Sequence, residues 1–113
     1  MLALTLLLAA PPQLDPVPID LGRTPTADLR ALAGRLIVTQ VGQLPAAAVQ
    51  SVDGFDVYPH DSPDGSERGV WVREGVRAEG EVVGRLEVID HPPTVVDGVG
   101  FEGFAEVRVL VAR

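Results

Sequence analysis

His60 and His91 are the side chains that titrate nearest neutral pH, and each stands beside a carboxylate, in Tyr58-Pro59-His60-Asp61 and Asp90-His91-Pro92-Pro93. An imidazole next to an acid is the start of a general-base arrangement. A nucleophile would have to complete it, and Ser51, Ser62 and Ser66 lie in no nucleophile context, since the chain has no G-x-S-x-G elbow. The two histidines fall in separate loops, which favours surface histidines over a Ser-His-acid triad. Asp61, Asp64 and Glu67 around Gly65 are the nearest approach to a set of hard oxygen ligands for calcium. An EF-hand loop opens D-x-[DN]-x-[DN]-G and closes on a bidentate acid, and residues 60–67 do neither, so they read as a solvated turn. The run Gly98-Val99-Gly100-Phe101-Glu102-Gly103 has the look of a phosphate-binding loop, but such a loop must enter a helix and here Phe104 opens a strand. The sequence therefore predicts no catalytic residues, no metal site and no cofactor: not an enzyme.

Tyr58, Trp71 and Arg73 are the remaining candidates, as ligand-binding residues. Aromatic rings and guanidinium groups on a sheet face are what small β domains use to stack a ligand or anchor a partner. Trp71 has a second reading, as a plug closing an open end of the core.

The elements that would position these residues are strands. Leu86 and Val88 alternate with Arg85 and Glu87, and Val107, Val109 and Val111 alternate with Glu106 and Arg108, the period of two expected of half-buried strands over residues 81–90 and 104–111. The outward Arg85, Glu87, Glu106 and Arg108 are expected to form complementary cross-strand pairs. A first strand is expected over residues 35–42, a second over 49–59 with Phe55 and Val57 on one face, and a third beginning at Val70-Trp71-Val72-Arg73. Residues 60–67, dense in turn formers, connect the second to the third, and residues 92–103 form a Pro- and Gly-rich loop between the last two. Residues 44–48, with Pro45 and an alanine triplet, fit either a helical turn or an irregular strand. One short helix is expected from Thr24 to Gly34, with Thr24 as N-cap, Pro25 in the first helical position, and Leu29 and Leu32 toward the core.

With 113 residues, 46% of them hydrophobic, the chain has one domain's worth of core, built on aliphatic side chains because it has three Phe, one Tyr and one Trp. Nine Arg and no Lys against sixteen acidic residues give a net charge of -7, and the arginines are dispersed from position 23 to 113, which argues against nucleic-acid binding. The chain has no cysteine, which removes disulfides and thiolate chemistry. Residues 2–10 form an apolar run of signal-peptide length, too short to span a bilayer, and residues 11–23 carry Pro11, Pro12, Pro16 and Pro18 as an extended linker. No basic residue precedes the run, and Pro11 follows Ala10 directly, features that count against cleavage there. The expected layout is a possible signal segment over 1–10, a linker over 11–23 and a single β domain over 24–113, in an exported, periplasmic or extracellular chain, or else in a cytoplasmic one.

Five candidate strands, with the first bounded by Gly34 and the closing pair at residues 83–88 and 104–109, make residues 34–112 resemble a small OB-fold barrel. The chain departs from that family where a helix lies between strands three and four, because residues 75–80 are too few for one. The resemblance implies a five-stranded barrel with a binding surface on strands two and three and their adjoining loops, here Tyr58, Trp71, Arg73 and residues 92–103. A small β-sandwich is the competing all-β architecture. These readings lead to a non-enzymatic binding or protein-interaction module with a protein or small-ligand partner. An OB-type single-stranded nucleic-acid or oligosaccharide binder, and a small hydrolase using a loop histidine, are the alternatives.

Overall fold

The structure, a computed structural model, describes residues 15–42, 44 and 48–111. The apolar run at 2–10, the first part of the proline-rich linker and the alanines at 46–47 lie outside these. The chain is mainly β, as its alternation predicts, with strands β1 (Val17–Pro18), β2 (Leu36–Val41), β3 (Gln50–Val52), β4 (Phe55–His60), β5 (Glu67–Arg73), β6 (Gly80–His91), β7 (Thr94–Val96), β8 (Val99–Phe101) and β9 (Phe104–Leu110), and one short helix α1 (Thr26–Arg30). Seven strands form a mixed sheet in the order β1-β2-β6-β9-β5-β4-β3, and β7 pairs only with β8. The β1/β2 and β5/β9 neighbours are parallel and the other ladders of this sheet are antiparallel.

One face of the sheet carries the core. Ile37 and Val41 of β2, Leu86 of β6, Val107 and Val109 of β9, Val70 and Val72 of β5 and Tyr58 of β4 join in one buried cluster with Leu21, Leu29 and Ala78. Side chains from β2 and β4, four places apart in the strand order, can share one cluster only if the sheet curls over its own inner face. Leu21 and Leu29 are almost completely buried in that cluster, and Ala78, from the connection before β6, joins it. The curl stops short of a barrel. The edge strands β1 and β3 do not pair with one another, and β1 is two residues long and ends on Pro18, which has no N–H to extend a ladder. In place of the expected five-stranded barrel stands an unclosed, strongly curved seven-stranded sheet, consistent with the alternative of a small β-sandwich.

Two of the expected segments split into hairpins. The single strand expected over 49–59 is β3 and β4, turned at Asp53 (φ 49°) and Gly54 (φ 87°). The loop expected over 92–103 contains β7 and β8, turned at Asp97 (φ 51°) and Gly98 (φ 80°). Two successive residues of positive φ make the turn whose twist matches paired strands, and Asp-Gly is a dipeptide that adopts it at low cost.

The helix begins one residue later than its sequence suggests. Pro25 occupies the cap position with no side-chain hydrogen bond of its own, and Thr24 turns its hydroxyl back to the Asp20 carbonyl at 2.8 Å. The orphan N–H of Thr26 is instead satisfied by Asp64, 38 residues away, whose Oδ2 accepts it at 2.7 Å while Oδ1 accepts the Thr26 hydroxyl at 3.0 Å.

Candidate functional site

Asp64 serves the fold through a second partner, Arg68. This arginine is 5% exposed and its side chain lies fully inside, on the core face. Its guanidinium donates to the Leu21 carbonyl at 2.7 Å, to the Thr24 carbonyl, to Ser66 Oγ at 2.9 Å and to Thr26 Oγ1 at 3.1 Å, with Asp64 Oδ1 at 3.4 Å as its counter-charge. Burial lowers the Arg68 pKa and Asp64 opposes the shift. The Thr26 N–H, joined by the Thr26, Ser66 and Ser62 hydroxyls, holds Asp64 far below the usual carboxylate range despite its partial desolvation. The acidic loop is therefore a structural clasp that fixes residues 20–26 to the sheet. Among the described residues no three acidic or imidazole side chains converge on a cation site.

Neither histidine hydrogen-bonds to the acid beside it in sequence. Asp90 binds Arg30 through both oxygens, at 2.6 and 2.7 Å, and His91 turns its Nε2 to Glu106 Oε1 at 2.8 Å. His60 is half-buried; burial lowers its pKa, opposed by Asp61 and Asp20. Ser62 and Ser66 hydrogen-bond to each other and to Asp64, and neither bonds to a histidine.

The face of the sheet opposite the core carries the polar and aromatic groups. Along β9 the alternation that sends Val107 and Val109 inward sends Phe104, Glu106 and Arg108 outward. His91 stands opposite Phe104 in the β6/β9 register and stacks on it at 4.6 Å between centroids. Glu106 binds His91 on one side and Arg108 on the other, at 2.6 Å from Arg108 Nε and 3.2 Å from Nη2. Burial raises the Glu106 pKa, but the hydrogen bonds and charges of Arg108 and His91 outweigh it and hold the group below its ordinary value. Arg108 in turn lies 4.1 Å over the Trp71 ring, and Phe55 packs against Trp71 from the other side at 5.8 Å, tilted by 59°. Glu87 is opposite Arg108 in register, yet Arg108 turns to Glu106 and Trp71, so the expected cross-strand charge pair does not form.

Beside this row runs a groove of about 580 Å³ whose floor and walls include Gln50, Val52, Val57, Pro59, Gly69 and Trp71, with Glu67 and Arg108 at its margin. Trp71 is 9% exposed. Its indole Nε1 lies 3.8 Å from where a side chain at Gly69 would begin, so it faces the groove. No fully enclosed side-chain polar atom among the described residues lacks a partner, and the indole N–H has none, so it opens on the groove.

Of the three residues singled out from sequence, Trp71 and Arg73 share this outer face. Arg73 is exposed at the end of β5 opposite Phe55, and the guanidinium on Trp71 is that of Arg108. Tyr58 faces the core, where its hydroxyl accepts the Ala78 N–H at 3.2 Å. Arg108 and Glu106 were legible only as outward charges, because their partners Trp71 and His91 lie on other strands.

The second distinctive surface is the arm β7–β8. Val95 is 73% exposed, and Val96, Val99 and Phe101 are each more than half exposed, with Phe104 at 41% beside them. At the arm's base a Cβ on Gly103 would fall 2.7 Å from the His91 carbonyl and 2.9 Å from Pro93 Cδ, so the return strand leaves the arm against the backbone that entered it.

These features define a small mainly β domain with a curved mixed sheet, a stacked outer face and an apolar arm. No family model, curated protein or solved structure matches the chain.

Proposed function

We propose that the chain is a non-enzymatic, exported protein-interaction module that docks through the arm of residues 92–104. The observation that carries this reading is the cluster of exposed Val96, Val99 and Phe101 on one face of the β7–β8 hairpin, with exposed Val95 on its other face and Phe104 beside it at the start of β9. Apolar side chains scattered singly over a surface need no explanation, whereas a contiguous apolar patch is the mark of a contact surface. Among the described residues each strand of the arm pairs only with the other, which leaves each with one backbone edge unpaired there. The partner that fits is a protein supplying an extended apolar strand, joined by main-chain hydrogen bonds at that edge. Export is supported by the apolar run at residues 2–10 and the proline-rich stretch after it. No helix among the described residues is long and apolar enough to cross a membrane.

A photo-cross-linking residue placed at Val96 in the producing cell tests the docking surface. The expected result is a discrete cross-linked protein that, purified, binds the wild type and not the Val95→Ser/Phe101→Ser variant. Equal binding by that variant overturns the arm as the contact. N-terminal sequencing of the secreted or periplasmic chain tests export, and a cytosolic chain retaining Met1 refutes it.

An OB-type binder of oligosaccharide or single-stranded nucleic acid is the second reading, favoured by the Trp71–Arg108 stack on an outer sheet face. The open sheet edges and the net charge of -7 weigh against it.

A further inference from the structure

The groove over Trp71 lies on a different surface from the arm and has its own recognition chemistry. The indole N–H of Trp71 opens on it without a partner among the described residues, and Arg108 lines it with Nε and Nη2 taken by Glu106. The Arg108 charge is already met by Glu106, Glu67 stands at the margin, and the chain carries a net charge of -7, so a formal anion is disfavoured. What remains is a neutral acceptor. The apolar wall of Val52, Val57 and Pro59 calls for apolar matter beside that acceptor. The floor strand β5 is paired on both sides, with β4 and β9, and the free edge of β3 lies at the rim, two strands from β5, so a peptide lying over Trp71 cannot do so as an added strand.

A peptide in ordinary extended form brings an N–H with every carbonyl, and the backbone of β4 and β5 beneath the groove is already paired in ladders, so the acceptors there are the lining side chains of Gln50, Ser62, Ser66, Glu67 and Glu106. A proline-rich segment brings carbonyl acceptors and apolar rings with few N–H groups, in a conformation that needs no internal hydrogen bonds. The groove crosses β3, β4, β5 and β9. Three strand spacings of about 4.8 Å give about 14 Å, the length of roughly four to five residues of polyproline II helix.

We propose that the outer-face groove between Gln50 and Arg108 binds a proline-rich peptide segment, with the Trp71 indole N–H donating to a backbone carbonyl and Glu67 favouring a basic residue beside the prolines. The inference rests on the reading of the chain as an interaction module but not on the arm.

Trp71 is the single tryptophan of the chain, so one indole resonance in a ¹H–¹⁵N spectrum reports the site directly. The full chain is titrated with a synthetic proline-rich peptide ending in arginine, with a glycine-serine peptide of equal length, and with a neutral glucan oligosaccharide. The expected result is a saturable shift of the indole N–H with the proline-rich peptide alone. By calorimetry Trp71→Phe, which keeps the apolar ring and loses the donor, should weaken binding about tenfold, the cost of one hydrogen bond in a desolvated site. Val95→Ser/Phe101→Ser should leave this binding unchanged, which separates failure of the groove from failure of the arm. No saturable shift with the proline-rich peptide, a shift with the oligosaccharide instead, or undiminished binding by Trp71→Phe in a variant with wild-type thermal unfolding overturns the proposal.

Discussion

Replacing Arg68 by Met keeps the length of the side chain in the core and removes every bond its guanidinium makes. Of the acceptors it leaves, Ser66 Oγ and Thr26 Oγ1 retain Asp64 as a partner, while the Leu21 and Thr24 carbonyls have no other hydrogen bond. A buried acceptor left unpaired costs about 1–3 kcal/mol; the Leu21 carbonyl lies in a buried bond, while the Thr24 carbonyl is part-buried and can meet water, so the two together set a loss of roughly 2–4 kcal/mol. Relief of the desolvation that the buried charge suffers offsets part of this, leaving an expected loss of about 2 kcal/mol. Small domains have about 5–15 kcal/mol in total, and each kcal/mol moves the midpoint of a domain this size by about 4–8 °C, so Tm should fall by about 8–16 °C. Urea unfolding followed by Trp71 fluorescence measures the change, because Trp71 lies on the opposite sheet face and keeps its environment in the folded variant. Arg108→Met is the control: its side chain is 27% exposed, Glu106 keeps His91, and loss of the stack on Trp71 should cost about 1 kcal/mol. If Arg68→Met costs no more than Arg108→Met, residues 20–26 are not held by the buried guanidinium and the clasp is wrong.

Asp64 links that clasp to pH. Its folded pKa is depressed below the ordinary value near 4 that it regains on unfolding, so its contribution is complete above about pH 4 and is lost as pH falls toward the folded pKa. Asp64→Asn should therefore cost about 1 kcal/mol at neutral pH, a cap-sized loss kept small because the side chain is 36% exposed and screened, and the gap to wild type should narrow below about pH 4. Urea midpoints at neutral and acid pH check it, and a gap that stays constant refutes the linkage. Gly103→Ala would place a Cβ 2.7 Å from the His91 carbonyl, and overpacking against backbone at the arm's base should cost about 1–3 kcal/mol. The urea midpoint reads that loss, and amide exchange over residues 92–101 should quicken with it.

Much of the architecture lies open in the residues. Strict alternation at Leu86, Val88, Val107 and Val109 turned those side chains to the core, where the structure finds Leu86, Val107 and Val109 buried and Val88 packed against them, because one buried face imposes a period of two on any strand. The two Asp-Gly turns were equally legible in principle: each stands between β-prone residues, and reading them as hairpin turns would have split the segment at 49–59 and found an arm within 92–103. The helix start misled because Thr24-Pro25 satisfies the local capping rule, while the actual cap, Asp64, arrives from a distant loop. The sequence favoured surface histidines over a triad, and at Asp90-His91 the reason is plain: adjacent residues on β6 point to opposite faces, so Asp90 meets Arg30 and His91 meets Glu106.

Composition and periodicity thus settled that this is a small mainly β domain with an aliphatic core and an acidic charge, since those follow from how many apolar residues there are and how often they recur. What they could not settle is which outward side chains meet. Trp71 with Arg108, Glu106 with His91 and Arg68 with residues 21–26 are joined only by the strand order and by the curl of the sheet, and both arise from long-range pairing that no local rule encodes. Whether the sheet closes was decided the same way, at edges too short to find each other.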